Sequence, residues 1–303
     1  MNNSNPRLPT SKHPSFSFEC FPPKTDKQWD VLSESAVELA RLGPEYFSVT
    51  FGAGGSTRVG TGETVRFLRE RTGIEVAPHI SCMGADPEDI LELIEEYRQA
   101  GVRRLVTLRG DRPSGSSSMG KLRYGSDLVA FIREHMGDAF HIEVGCYPEF
   151  HPEAKSAEKD LESFKRKVDA GADVAITQYF FNPDAYFRFV YECDKLGIDI
   201  PIVPGIMPLT NYKMIARFSD ACAAEIPRWI RQRLIAYDER DDTESLKQFG
   251  VEVVTDLCAK LLEGGAPGLH FYTLNRSWAT TRIWNNLGLP HADEVREKAE
   301  GAA

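Results

Sequence analysis

Glu19 lies in the run Phe16-Ser-Phe-Glu-Cys-Phe-Pro-Pro-Lys, at the end of an alternating apolar stretch. A carboxyl among Phe18, Phe21 and Pro22 is expected to be partly desolvated, which favours its protonated form and suits a general acid. An ion pair with Lys24 is the plainer alternative. The ends of other short apolar runs deliver Thr50, His79 with Ser81, Arg109 with Asp111, Tyr147 with Glu149, Gln178, and Tyr272 with Asn275 and Arg276. A strand meeting a polar loop supplies one or two such groups anyway. A whole rim of them predicts a site built at one end of a sheet or barrel. Gly110, between Arg109 and Asp111, lets the backbone approach a ligand closely.

Two glycine-rich loops resemble nucleotide motifs and fail them. Phe51-Gly-Ala-Gly-Gly-Ser-Thr has Thr57 where the third glycine of a dinucleotide fingerprint must stand. Gly115-Ser-Ser-Ser-Met-Gly-Lys-Leu has Leu122 where a P-loop needs Ser or Thr, and no strand leads straight into it. A mobile lid is the better reading of that segment. The basic stretch around His151, Lys165, Arg166 and Lys167 follows a strand end and enters a helix, where cations can hold a pyrophosphate or simply coat a solvated face. His79 and His151 are not spaced as a metal pair, and no metal is expected.

These groups need a frame. Strand-like runs occupy 15–20, 45–51, 75–80, 103–108, 140–147, 173–179, 201–203 and 268–273. Amphipathic helical stretches lie between them. Residues 86–100 open on Asp-Pro-Glu and carry Ile90, Leu93, Ile94 and Tyr97; residues 156–170 line up Leu161, Phe164 and Val168. Leu246, Phe249, Val253, Leu257 and Leu261 share a further face, and Gly101, Gly171 and Gly197 follow helical runs as C-terminal caps. Repeated β-then-α units predict an α/β fold, a single (β/α)8 TIM barrel, with an extra helical insertion at 223–242 before the last unit. An open doubly wound sheet is the alternative. The expected organisation is a polar arm at 1–14, a catalytic barrel at 15–290 and a polar tail at 291–303.

The chain has 303 residues, 36 basic against 45 acidic side chains, and a net charge of −9. This balance argues against a dedicated nucleic-acid binder. No apolar run approaches the roughly 18 residues of a membrane span, and the N-terminal arm has no secretory leader. The six cysteines are scattered without a CxxC pair, as buried free thiols of a cytoplasmic protein would be.

Taken in order, eight blocks resemble the methylenetetrahydrofolate reductase family. They are the Glu19 block above, Val49-Thr-Phe-Gly-Ala-Gly-Gly-Ser-Thr, Leu108-Arg-Gly-Asp, Tyr147-Pro-Glu-Phe-His-Pro-Glu-Ala, Lys165-Arg-Lys-Val-Asp-Ala-Gly-Ala, Ile176-Thr-Gln-Tyr-Phe-Phe, Pro204-Gly-Ile-Met-Pro and His270-Phe-Tyr-Thr-Leu-Asn-Arg. Their joint order over about residues 15 to 289, at strand ends, makes the match specific.

The resemblance implies a barrel that binds FAD at its strand ends without a Rossmann domain. It implies reduction of 5,10-methylenetetrahydrofolate to 5-methyltetrahydrofolate by NADH or NADPH, with ping-pong hydride transfer through FAD. By resemblance Glu19 protonates folate N10 and opens the five-membered ring. Asp111 stands beside the flavin and meets the pterin, which Gln178 also holds. Thr50 meets nicotinamide or substrate, Phe218 stacks on either ligand, and Arg276 lies near folate or nucleotide. FAD is held by Phe51, Ala53, His79, Arg109, Gly110, Asp111, Tyr124, Gly125, Tyr147, His151, Ala154, Asp160, Arg166 and Lys167. A homo-oligomer is implied, and the short form implies no adenosylmethionine regulation. Cys20 and Gly125 depart from the family's usual residues, and Ser163 stands where some relatives carry an asparagine. The rival readings are a non-redox folate-barrel methyltransferase, or a silent barrel that binds folate or a protein partner. Flavin bound to the purified protein separates the reductase from the methyltransferase, and electron transfer from NAD(P)H to folate separates it from a silent barrel.

Overall fold

The computed structural model describes residues 14–51, 57–110 and 120–294, with 57–59 as backbone alone. Ala53, Asp111 and most of the expected lid at 115–122 therefore lie outside the described residues. Nine parallel strands appear: β1 (Ser15–Cys20), β2 (Tyr46–Val49), β3 (Glu75–Ser81), β4 (Arg104–Leu108), β5 (His141–Cys146), β6 (Val174–Thr177), β7 (Ile202–Val203), β8 (Gly205–Ile206) and β9 (Gly268–Tyr272). Their order is β7-β6-β5-β4-β3-β2-β1-β9-β8. Between and after them come α1 (Asp26–Ala40), α2 (Thr57–Thr72), α3 (Pro87–Gln99), α4 (Gly125–Met136), α5 (Ala157–Asp169), α6 (Pro183–Lys195), α7 (Tyr212–Cys222), α8 (Arg228–Asp238), α9 (Thr243–Glu263) and α10 (Trp278–Asn286).

The count exceeds eight because β7 and β8 are one stave of the barrel broken in two. The sequence pattern ends the seventh strand at Val203, because Pro204 cannot donate to a ladder. In the structure β7 pairs with β6, and β8, immediately beyond the proline, pairs with β9. The Pro204 carbonyl accepts from the His270 amide at 3.0 Å. The two halves thus form one stave that closes a (β/α)8 barrel. Gly205 makes the closure possible: a Cβ there would lie 2.2 Å from the Thr177 carbonyl oxygen. The inserted helix at 223–242 is α8, between α7 and the long α9.

Helix boundaries follow local chemistry. Asp86 is the N-cap of α3 with Pro87 in its first turn, and Ser156 caps α5 by accepting from the Lys159 amide. Gly101, Gly171 and Gly197 all take positive φ just past their helices.

Two cores result. The larger fills the layer between barrel and helices, where Phe18 is fully buried against Phe47, Phe271 and Trp284. Burying such a ring contributes roughly 1.5–3 kcal/mol. The smaller lies inside the barrel and comprises only Tyr46, Ala77, Val106 and Ile176, with Leu108 beside them. Many of the remaining inward positions are polar, among them Ser17, Glu19, Ser48, His79, Glu143 and His270. Among the described residues no helix is long and apolar enough to cross a membrane.

Candidate active site

Parallel pairing fixes which side chains meet. β1 lies between β2 and β9, with Ser17 opposite His270 and Glu19 opposite Tyr272. Strand alternation then puts Glu19, His270 and Tyr272 on the inner face and Phe18 on the outer one. This corrects the expected surroundings of Glu19. Phe18 belongs to the outer core, and Phe21 is exposed. Histidines replace them: His79 Nε2 and His270 Nε2 lie 3.5 and 3.8 Å from Glu19 Oε2. Both imidazoles are buried, and neither Nε2 makes a hydrogen bond. Burial, opposed by the Glu19 charge, pushes His79 down to about 4. His79 is therefore neutral at ordinary pH, neither a counter-ion nor a satisfied core histidine.

Glu19 opens into a cleft of about 500 Å³ at the C-terminal ends of the strands. Thr50, Phe51, His79, Tyr147, Gln178 and Phe218 line it, six of the residues singled out from sequence. The cleft also takes in Tyr272, named in the strand-end rim, and Cys146, Tyr179, Met207, Cys222, His270 and Leu274, which sequence reasoning did not assign to binding. Alternation along 268–273 carries a signal for His270, since it shares the inward face with Tyr272. The Tyr272 hydroxyl donates to the Thr177 carbonyl at 2.7 Å, and burial raises it far above an ordinary phenol.

Most of the other described candidates form a second group, which meets the cleft at Gly145 and Tyr147. Gly110 has φ +82°, and a Cβ there would stand 1.8 Å from Ser81 Oγ. Ser81 Oγ in turn donates to the Arg109 carbonyl at 2.9 Å. Arg109 pairs with Glu153 at 2.6 Å. Gly125 lies in the first turn of α4, where a Cβ would stand 3.5 Å from Lys167 Cε and 3.7 Å from the Arg109 amide nitrogen. Tyr124 is the exposed N-cap residue of that helix. The Lys167 ammonium donates to the Gly145 carbonyl at 2.7 Å, and burial lowers its pKa. His151 meets the Tyr147 ring edge-on at 4.6 Å, and burial lowers its pKa as well. Its amide donates to Asp160 at 2.9 Å, and its carbonyl accepts from the Ala154 amide at 2.8 Å.

The basic stretch does not act as one cluster. Lys165 turns outward to Asp169, Arg166 reaches Ser163, and only Lys167 enters the barrel wall. Arg276 is exposed and outside the cleft lining. Its neighbour Asn275 is buried and ties the loop after β1 in place. Its amide accepts from the Phe21 N–H at 2.9 Å and donates to the Phe21 carbonyl at 2.8 Å. Among the described residues no three His, Cys, Asp or Glu side chains are disposed to hold a metal ion.

Comparison with known proteins identifies the family. The methylenetetrahydrofolate reductase family profile matches residues 5–288. The chain is 42% identical over 273 residues to 5,10-methylenetetrahydrofolate reductase of Escherichia coli, covering 90% of each. It is 38% identical over 294 residues to the maize protein named methylenetetrahydrofolate reductase (NADH) 1, covering 93% of this chain and 49% of that one. A solved Clostridium thermocellum protein, described as binding two copies of 5-methyl-5,6,7,8-tetrahydrofolic acid, superposes with a TM-score of 0.61 over 90% of this chain and 94% of that one, at 15% identity. That last likeness shows the fold. The profile match and the bacterial identity carry more, and by them the chain belongs to the methylenetetrahydrofolate reductase family.

Proposed function

We propose that the cleft reduces 5,10-methylenetetrahydrofolate to 5-methyltetrahydrofolate at the expense of NADH or NADPH, with the two substrates occupying it in turn. One observation carries the reading: among the described residues of the cleft the one carboxyl, half-buried Glu19, stands between two buried imidazole nitrogens that have no other partner. Opening a five-membered aminal to an iminium requires a proton at the departing amine nitrogen, which is N10 of the folate. Glu19 is the group placed to deliver it. The neutral His79 beside it offers Nε2 as either donor or acceptor, so it can hold the carboxyl in both protonation states.

Other residues bind. The Gln178 side chain presents both an amide donor and an acceptor toward the edge of a pterin, which carries both kinds of group. Phe218, half-buried on α7, gives an aromatic face for a pterin or a nicotinamide. A cleft of about 500 Å³ suits one such ring system at a time, which favours alternate occupancy.

FAD fits the second group of residues. Gly110, whose φ of +82° and closeness to Ser81 leave no room for a side chain, Gly125 in the first turn of α4, the N-terminus of that helix, and the cations Arg109 and Lys167 offer bare backbone and positive charge to a pyrophosphate. Tyr147 and His151 would flank the isoalloxazine side, with Phe51 across the cleft. When bound, FAD supplies the two-electron chemistry that links the pyridine nucleotide to the folate. Reconstitution tests this. The purified protein is expected to bind FAD and to bleach it anaerobically on addition of NADH or NADPH. A protein that takes up no flavin refutes the proposal.

A further inference from the structure

The barrel interior holds an unusual set of side chains below the cleft. Packed barrels fill this space with Val, Ile and Leu. Here β5 contributes Glu143, fully buried, and β4 contributes Arg104, whose guanidinium bonds Glu143 Oε1 at 3.0 Å. Tyr46 on β2 donates to Glu143 Oε2 at 2.6 Å. Ser17 stands beside Tyr46 in the β1–β2 register, and its hydroxyl lies 2.7 Å from His270 Nδ1. His270 Nε2 faces Glu19. Hydrogen bonds join Glu143 to Tyr46 and Ser17 to His270, and the five groups thus form one row from Glu143 up the barrel axis to Glu19, with short open steps at Tyr46–Ser17 and His270–Glu19. A buried ion pair adds little net stability over an apolar filling, so stability does not account for this set.

We propose that Glu143 stores the proton that restores Glu19, passing it through Tyr46, Ser17 and His270. The reading rests on Glu19 being the acid of the proposed reaction. Hydrogen-bond direction follows from which carboxyl is ionised. With Glu143 ionised, Tyr46 donates to it, Ser17 donates to Tyr46, and His270 must donate from Nδ1 to Ser17. Nε2 then presents a lone pair to a protonated Glu19. With Glu143 protonated every bond reverses, and His270 presents Nε2–H to an ionised Glu19. Passing between these states moves one proton from Glu143 to Glu19: each O–H or N–H breaks as its neighbour forms, with no change of charge in between. The 3.8 Å gap at Nε2 closes with about 1 Å of movement by the Glu19 carboxyl.

The charged surroundings suit a store. Burial raises Glu143, with Tyr46, Arg104 and His270 opposing, and burial raises Tyr46. Arg104 also pairs with Glu45 and, at 3.9 Å, with Glu75. These groups line the mouth of the barrel away from the cleft, so Glu143 can recharge while ligands cover the other end.

Nitrogen-15 NMR of the histidines in the FAD-reconstituted protein tests the chain without turnover. At neutral pH His270 is expected as the Nδ1–H tautomer in the wild type. In Glu143→Gln and in Tyr46→Phe it is expected to switch to Nε2–H: the glutamine NH2 donates to Tyr46 and turns its hydroxyl toward Ser17, or loss of the phenol hydroxyl leaves Ser17 without that acceptor, and in both Ser17 donates to Nδ1. Tyr46→Phe, which keeps Glu143 and Arg104, should also slow oxidation of the reduced enzyme by methylenetetrahydrofolate at least tenfold, leaving reduction by NADH unchanged. The same His270 tautomer in all three proteins, or an unaltered folate rate in Tyr46→Phe, overturns the proposal. Glu19→Gln is run alongside: if it still reduces folate, the acid assignment fails, while the tautomer switch continues to report on the chain itself.

Discussion

His79 makes the stability of this protein pH-dependent in a direction that geometry fixes. Its imidazole is wholly buried and pushed from 6.5 down to about 4. In the unfolded chain it returns to 6.5. Between these values the unfolded state binds the extra proton and the native state does not, so acidification favours unfolding. The penalty begins near pH 6.5, grows as pH falls, and levels off below about 4. Each pKa unit corresponds to about 1.4 kcal/mol, so by pH 4 the loss is roughly 3 kcal/mol. Other groups titrate in the same range, and comparison with His79→Gln isolates this one. Glutamine has similar bulk and no proton to gain. Urea midpoints of both proteins, measured every half unit from pH 8 to 4, are expected to converge. Wild type should lose about 3 kcal/mol relative to the variant over that span. Parallel pH curves would refute the claim that His79 stays neutral in the native state.

Three further outcomes follow from the packing. Gly110→Ala forces a Cβ onto Ser81 Oγ and strains a φ of +82°, so it should cost at least ~1–2 kcal/mol in urea unfolding and weaken FAD binding; adding Ser81→Ala should restore part of both. Asn275→Ala removes both hydrogen bonds to Phe21 and should destabilise by about 2 kcal/mol, more than Asn275→Gln, whose longer amide can keep one of them. Burial raises the thiols of Cys20, Cys82 and Cys193 to about 12, 11 and 12, and Cys146 and Cys258 are buried too. Ellman's reagent should therefore label the half-buried Cys222 of the native protein first, and a folate in the cleft should slow that phase.

The fold was legible because its signals are local. Each strand shows as a short β-branched or aromatic run, each helix as a stripe with a cap, and their alternation leaves few architectures. Pro204 hid the second half of the seventh stave, since a proline reads as a stop until closure shows that its carbonyl still pairs. The site was half legible. Strand ends located Glu19, His79, Tyr147 and Gln178, because position along a strand decides which end of the barrel a residue reaches. Which neighbours surround a carboxyl depends on pairing between strands far apart in sequence. His270 lies 251 residues from Glu19 and meets it only through the β1–β9 register. Phe18, adjacent in sequence, faces the other way. Glu143 is the extreme case: in an alternating strand a glutamate reads as a solvent-facing position, and only closure turns that face inward.

The central claim is that Glu19 donates the proton that opens the folate ring and takes no part in reduction by the pyridine nucleotide. Stopped-flow absorbance of the flavin in Glu19→Gln separates these half-reactions. The account predicts reduction by NADH or NADPH at a rate close to wild type, and reoxidation by methylenetetrahydrofolate slowed by about 10²-fold or more. Equal slowing of both half-reactions, or reoxidation at the wild-type rate, would contradict it.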